Sequence, residues 1–249
     1  MAMTLRRRAL TEVALVGLVL LTFTRLHAVV GTDEAVATRN ADALQSMEAW
    51  LHLDIELRAN RWLVGHPALV TPSVILYRGY YVVLLGVLVW VFLRHQEIYR
   101  QVRSTLVVMA ALALLVYWAL PVSPPRFAQA GISDVIAQHD LFGAHAVHEA
   151  GSFSAMPSLH VGWSALAAYA AWRSLSPAHG RAALLVWLFP IAMTLVVLGT
   201  GNHYVLDVVG SAVLLLGSIA AARLWGHLAR APGRRGRGRG PADLPGCPT

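Results

Sequence analysis

"LVVLGTGNHYVLDVVGSAVLL", residues 195–215, sets a short polar turn between two apolar runs. The runs extend over about 182–199 and 204–225, close to the ~20 residues an α-helix needs to cross a bilayer. Two spans joined by "GTGNHYVLD" (199–207) present a polar tip at one membrane face. Further apolar segments fall near 9–30, 69–93, 104–120 and 155–172. The expected fold is all-α, a polytopic membrane helical bundle of six transmembrane helices over residues 1–230. A disordered basic tail is expected at 231–249.

Composition points the same way. Hydrophobic residues make up 57% of the 249 and charged residues 13%, with a mean hydropathy of +0.56. A soluble domain carries about 25% charged residues, so a soluble enzyme is excluded. The single cysteine, Cys247, rules out a disulfide framework or thiolate metal site. All 20 basic residues are arginine, and the net charge is +7. Four arginines lie in "GRRGRGRG" (233–240), which reads as a tail near anionic lipid headgroups rather than a nucleic-acid contact.

The arginines also orient the chain. "MAMTLRRRALTEVALVGLVLLTF" (1–23) resembles a signal peptide, but its apolar run continues to about Val30 without a small-x-small cleavage site. It reads as a retained signal anchor and first span. Arg6, Arg7 and Arg8 then place the N-terminus in the cytoplasm. With six spans, the arginine-bearing loops 94–103 and 173–181 and the C-terminal tail fall on the same side. The loop 31–68, rich in Asp and Glu, lies outside. Within it, Leu44, Met47, Leu51, Ile55 and Trp62 recur at helical spacing. That pattern fits an amphipathic helix on the membrane surface or a helical hairpin capping the bundle. All-arginine basicity with abundant alanine suggests a GC-rich bacterial genome, hence a bacterial plasma membrane.

Three polar clusters reach this outer face. "PVSPPR" (121–126) follows the third span, Ser158 and His160 open the fourth, and "GTGNHYVLD" joins the last two. His203 and Asp207 stand four apart and share a helix face. The carboxylate can hold one imidazole nitrogen and leave the other as nucleophile or base. A structural clasp between helices is the alternative. Pro157 suits a first helical turn, whose outward N–H groups attract phosphate. Ser158 can add a hydroxyl, His160 a proton for a departing oxygen, and Arg126 a fork-shaped cation. Together these describe phosphoryl transfer. His139, His145 and His148 are irregularly spaced, so no metal site is expected.

"SAMPSLH" (154–160) followed by "GTGNHYVLD" resembles the second and third signature motifs of the phosphatidic acid phosphatase type 2 superfamily. The Met-Pro-Ser-Leu-His and Gly-Asn-His-Tyr forms resemble most the branch with inositol phosphorylceramide synthases. The resemblance implies a lipid phosphate or phospholipid substrate, no cofactor, and a phosphohistidine on His203. It also implies orientation by Asp207 and protonation of the leaving alkoxide by His160. Water or an acceptor alcohol then takes the phosphoryl group, so phosphatase and headgroup transferase both remain open. The family's first motif carries a lysine before its Arg-Pro, and its third carries Ser-Arg six or seven residues before the histidine. This chain has no lysine, offers only Arg126, and has Val196 and Val197 at the latter positions. Arg78, within the second span, is a candidate replacement or a snorkelling interhelical arginine. A non-catalytic scaffold or transporter is the rival of another class.

Overall fold

A computed structural model of the chain describes residues 2–139 and 153–230, with side chains described over 6–139 and 153–228. The expected tail at 231–249, and His145 and His148, lie outside the described residues. The elements in order are α1 (Ala2–His27), α2 (Glu34–Trp50), α3 (Glu56–Val64), α4 (Pro67–Arg94), α5 (Gln96–Ala119), α6 (Pro125–Ala128), α7 (Val135–Gln138) and α8 (Leu159–His179). A 3-10 helix (Gly180–Trp187), α9 (Leu188–Gly199) and α10 (Val205–Arg230) follow. Among the described residues there is no strand, only an isolated bridge between Val122 and Ser154. The chain is an all-α polytopic membrane bundle.

Five helical segments are long and apolar enough to cross a membrane, against the six expected. The difference lies in Leu159–Gly199, a continuous helical run of 41 residues. At 1.5 Å per residue it would extend roughly 60 Å, twice the ~30 Å hydrocarbon core. It does not run straight: α8 and α9 pack against each other on either side of the 3-10 helix. Gly180, with φ of +51°, adopts the turn conformation that suits a residue without Cβ.

α8 is the central helix and packs on α4, α5, α9 and α10. Lipid tails give little hydrophobic drive between helices, so close approach of small residues carries the packing. Gly162 shows this: a Cβ there would collide with the Met109 side chain of α5. Ala110, Ala113, Ala167 and Ala170 are likewise buried. Outward positions such as Val82, Val89, Leu195, Leu216 and Trp225 are apolar and exposed, as a lipid-facing surface requires. α1 is peripheral: 6% of its spanning window is buried, against 33–39% for the others.

The loop expected to form a surface helix or a capping helical hairpin forms two helices, α2 and α3. Their inward face is Ala37, Ala41, Leu44 and Glu48, then Glu56, Asn60 and Leu63. Met47, Trp50, Leu51 and Trp62, four residues with large apolar side chains, point outward instead. Small residues and two acids occupy the inward face because α2 and α3 seat on the start of α10, where backbone N–H groups need acceptors.

Candidate active site

The turn 199–204 wraps the end of α9. Thr200 N donates to Val196 O at 2.8 Å, and Asn202 N and His203 N donate to Val197 O at 3.0 and 3.3 Å. Gly201 takes φ of +72°, and a Cβ there would strike Ile132. Val196 and Val197, which stand where the resembled motif carries Ser-Arg, are buried.

α10 then starts under three carboxylates. Tyr204 N donates to Asp207 Oδ2 at 2.8 Å, Val205 N to Glu56 Oε1 at 3.0 Å, and Leu206 N to Glu48 Oε1 at 2.7 Å. A helix start leaves such N–H groups without intrahelical partners and carries a partial positive charge. Here acids from α2, α3 and α10 itself supply the acceptors. Burial raises the Glu48 carboxyl to about 8, opposed by the Leu206 N–H and reinforced by the charges of Glu56 and Asp207. Burial also raises Glu56 and the Tyr204 phenol, whose oxygen accepts from Gln45 Nε2 at 3.1 Å.

His203 is nearly buried, at 6% exposure. Its Nδ1 lies 2.8 Å from Ala155 O and 3.3 Å from Asp207 Oδ2. A backbone carbonyl only accepts, so Nδ1 carries a proton. In the neutral ring, Nε2 then keeps its lone pair. The spacing in sequence pointed to Asp207 as the group that holds the tautomer; the shorter contact is from Ala155. That carbonyl is held by a strap in which Val122 N donates to Phe153 O at 2.9 Å, Ala155 N to Val122 O at 3.1 Å, and Phe153 N to Gly31 O at 2.9 Å.

His160 sits in the first turn of α8, its ring stacked on Tyr77 (4.1 Å) and tilted against Tyr80 (4.5 Å), 5.9 Å from His203. Ser158 is the N-cap: its Oγ accepts from Val161 N at 3.4 Å, and its carbonyl accepts from Ser211 Oγ at 2.7 Å. Pro157 therefore precedes the cap rather than opening the first turn, and Ser158 is buried away from the cavity wall. Arg126, at the start of α6, donates to Asn202 Oδ1. It also pairs through Nε with Asp134 Oδ2 at 3.3 Å, and its backbone N–H bonds Gly201 O at 2.9 Å.

His203, His160, Arg126 and Asn202 line one cavity of about 190 Å³, far above the ~15 Å³ that admits a water. Leu159, opening α8, lines it too, so that helix start faces the cavity. Arg78 does not line it, and among the described residues its buried Nε has no hydrogen-bond partner. His139 bonds back to Val135 O at 3.1 Å.

The sequence reading missed several lining groups. His27 of α1 bonds through Nε2 to Ser154 Oγ at 2.9 Å, and both line the cavity with Tyr77, Tyr80, Tyr81 and Tyr117. An imidazole at the end of an apolar span was the available signal for His27. Glu48 stands in helical register with Ala41 and Leu44 of α2, the one signal it gave; Glu56 opens the next helix and gave none. Asp134 had no signal.

A search among proteins of curated function and another among solved structures each return no match. A family model described as the PAP2 superfamily matches residues 42–221. Most of the chain, including every residue of the turn 199–204, falls within that range, while α1 and its His27 lie before it. The match covers more than half of the chain, and the chain belongs to the PAP2 superfamily, with a phosphatase- or phosphotransferase-type function in a membrane bundle.

Proposed function

We propose that the protein transfers the phosphoryl group of a membrane lipid through a phosphohistidine on His203. The observation that carries this is the pinned Nδ1 of His203 beside His160 and Arg126 on one cavity wall. Nε2 attacks phosphorus. Ala155 O and Asp207 hold the ring and stabilise the imidazolium character that develops. His160 protonates the leaving oxygen, then takes a proton from the incoming water or alcohol. Arg126 binds phosphate oxygens, with the start of α8 adding N–H groups. The same reading gives six crossings, with the fold-back at 180–187 cytoplasmic, both termini inside, and the cavity on the extracytoplasmic side of a bacterial plasma membrane.

A second reading is headgroup transfer of the inositol phosphorylceramide synthase type. One observation favours it: among the described residues, Arg126 is the single arginine on the wall, and it already faces Asp134. One shared cation suits a singly charged phosphodiester better than a monoester dianion.

The test is incubation of purified protein with lipid phosphate labelled in phosphorus, with and without acceptor alcohols. Free phosphate without acceptor supports hydrolysis; label only in a new lipid supports transfer. Vanadate mimics five-coordinate phosphorus and should bind. His203→Ala should abolish turnover while the fold persists. Full activity in that variant, or no vanadate binding, refutes the phosphohistidine reading.

A further inference from the structure

The proposed reaction uses Asp207, His160 and Arg126 around His203, and leaves Glu48 and Glu56 without a task. Both are almost fully buried, at 0% and 1% exposure, on helices outside the spans. Glu48 Oε1 accepts from Leu206 N–H, and Oε2 is buried with no donor against it among the described residues. Oε2 is therefore the oxygen left to carry a proton. Glu56 lies within hydrogen-bonding reach of Glu48 and accepts from Val205 N–H. Two buried carboxylates in contact cannot both ionise cheaply, so one proton is shared between them.

We propose that Glu48 and Glu56 are positioning residues: as one pair sharing a proton, they fix the first turn of α10 and so the placing of His203. The inference rests on His203 being the nucleophile. The geometric link is short. Val205 and Leu206 follow His203 by two and three residues, and Asp207 holds both the His203 ring and Tyr204 N–H from the same turn. The charged and titratable groups around the pair are Asp207 of α10, and Tyr204 and His203 of the turn before it. On α6, which packs on α2, Arg126 is engaged by Asp134 and Asn202. α9 and α4 also pack on α3; α9 carries no ionisable side chain, and α4 carries Tyr77, Arg78, Tyr80, Tyr81 and Arg94. Losing the shared proton would leave Glu48, Glu56 and Asp207 all negative at one helix start. Their repulsion would push α2 and α3 away from α10 and loosen the turn carrying His203.

The test uses the full chain in lipid–detergent micelles, with labelled phosphatidic acid as probe, comparing wild type with Glu48→Gln, Glu48→Ala and Glu56→Gln. Infrared spectra should show a buried protonated carboxyl that titrates near the value of about 8 set for Glu48. Wild-type kcat should decline above that pH with KM little changed. Glutamine copies the protonated acid, with an oxygen for Leu206 N–H and a donor for Glu56. Glu48→Gln should therefore lose the alkaline decline and the infrared band. Glu48→Ala removes both contacts, and its kcat should fall roughly 10- to 100-fold. Partial rescue by glutamine separates positioning from mere bulk. A functioning wild type whose alkaline decline survives in Glu48→Gln, or which shows no carboxyl band, overturns this inference alone. A wild type that neither turns over the lipid nor binds vanadate overturns the proposed chemistry, and this inference with it.

Discussion

Asp207→Asn separates two jobs that a histidine-orienting acid can perform. The first is to hold the tautomer; the second is to stabilise positive charge on the imidazole as Nε2 bonds phosphorus. When the acid performs both, its loss can cost about 10⁴-fold in kcat, as in the serine protease triad. Here Ala155 O is 2.8 Å from Nδ1 and Asp207 Oδ2 is 3.3 Å away. The carbonyl alone keeps the proton on Nδ1, and asparagine preserves the tautomer. What is lost is the charge. At 3.3 Å and an effective dielectric of 20, its gross Coulomb interaction with a developing cation is about 5 kcal/mol. Asparagine keeps an oxygen for Tyr204 N–H and for Nδ1, so the net loss is nearer ~3–4 kcal/mol, the scale of losing one preorganised electrostatic partner of a transition state. We expect kcat to fall about 10²- to 10³-fold, with KM within a few-fold. Steady-state kinetics on labelled lipid phosphate read the rate, and histidine-selective ¹⁵N spectra read the tautomer. A loss as deep as that of His203→Ala, with Nδ1 deprotonated, would refute the role given to Ala155. Unchanged kcat would refute the role given to Asp207.

Glu48 also predicts how stability changes with pH. Its folded value of about 8 lies above the ordinary 4.5, so the fold binds this proton more tightly than the unfolded chain does. The stability it contributes is fully present below about 4.5 and is lost as pH rises through about 8. The ceiling is about 5 kcal/mol, lowered by sharing with Glu56. Thermal unfolding in detergent should show a falling melting temperature across that window, flattened in Glu48→Gln. Gly201→Ala should destabilise by about 2 kcal/mol, because φ is +72° and the new Cβ meets Ile132 and sits 3.5 Å from Arg126 Cβ; thermal shift with and without vanadate checks it. Arg126→Lys replaces a fork held by Asp134 and Asn202 with a single ammonium. Vanadate binding should weaken roughly 10- to 100-fold, and unchanged affinity would remove Arg126 from the phosphate site.

The spans were legible because a bilayer demands long apolar helices, and 57% hydrophobic residues can hardly be arranged otherwise. His203, Asp207 and His160 were legible as ionisable residues where an apolar run begins. What escaped was tertiary. Six separate helices do not appear because helical hydrogen bonding persists through Gly180–Trp187, a fold-back that hydropathy reads as a break. The inward face of α2 and α3 was not assigned from sequence, because Met47, Trp50 and Trp62 look like core and point outward, while Glu48 and Glu56 look like surface and are buried. An acid is stable inside when it meets unsatisfied N–H groups, and those belong to α10, about 150 residues later in the chain. Ala155 as the holder of Nδ1 carries no side-chain signature at all.

The shortage of arginine finds a physical account in the same contacts. Val196 and Val197 are buried among apolar neighbours, where a cation would be costly, and Arg78 stands off the cavity. Under the proposed chemistry Arg126 is left to meet the phosphate. It is held by Asp134 and Asn202, its guanidinium lies 4.5 Å from the Phe127 ring centre, and its backbone is tied to Gly201 O. A cation fixed before the substrate arrives loses little side-chain entropy on binding, and needs no reorganisation as charge develops. Asp134 offsets part of its charge, so the site gains rigidity and gives up field strength. That exchange suits a phosphate carrying one negative charge, and it makes the ratio of kcat/KM for a phosphodiester lipid over its monoester the sharpest measure of what this cavity is built to transfer. A ratio above one is expected for headgroup transfer. A ratio far below one would show that Arg126, the histidines and the start of α8 together stabilise a dianion, and hydrolysis of monoesters would stand.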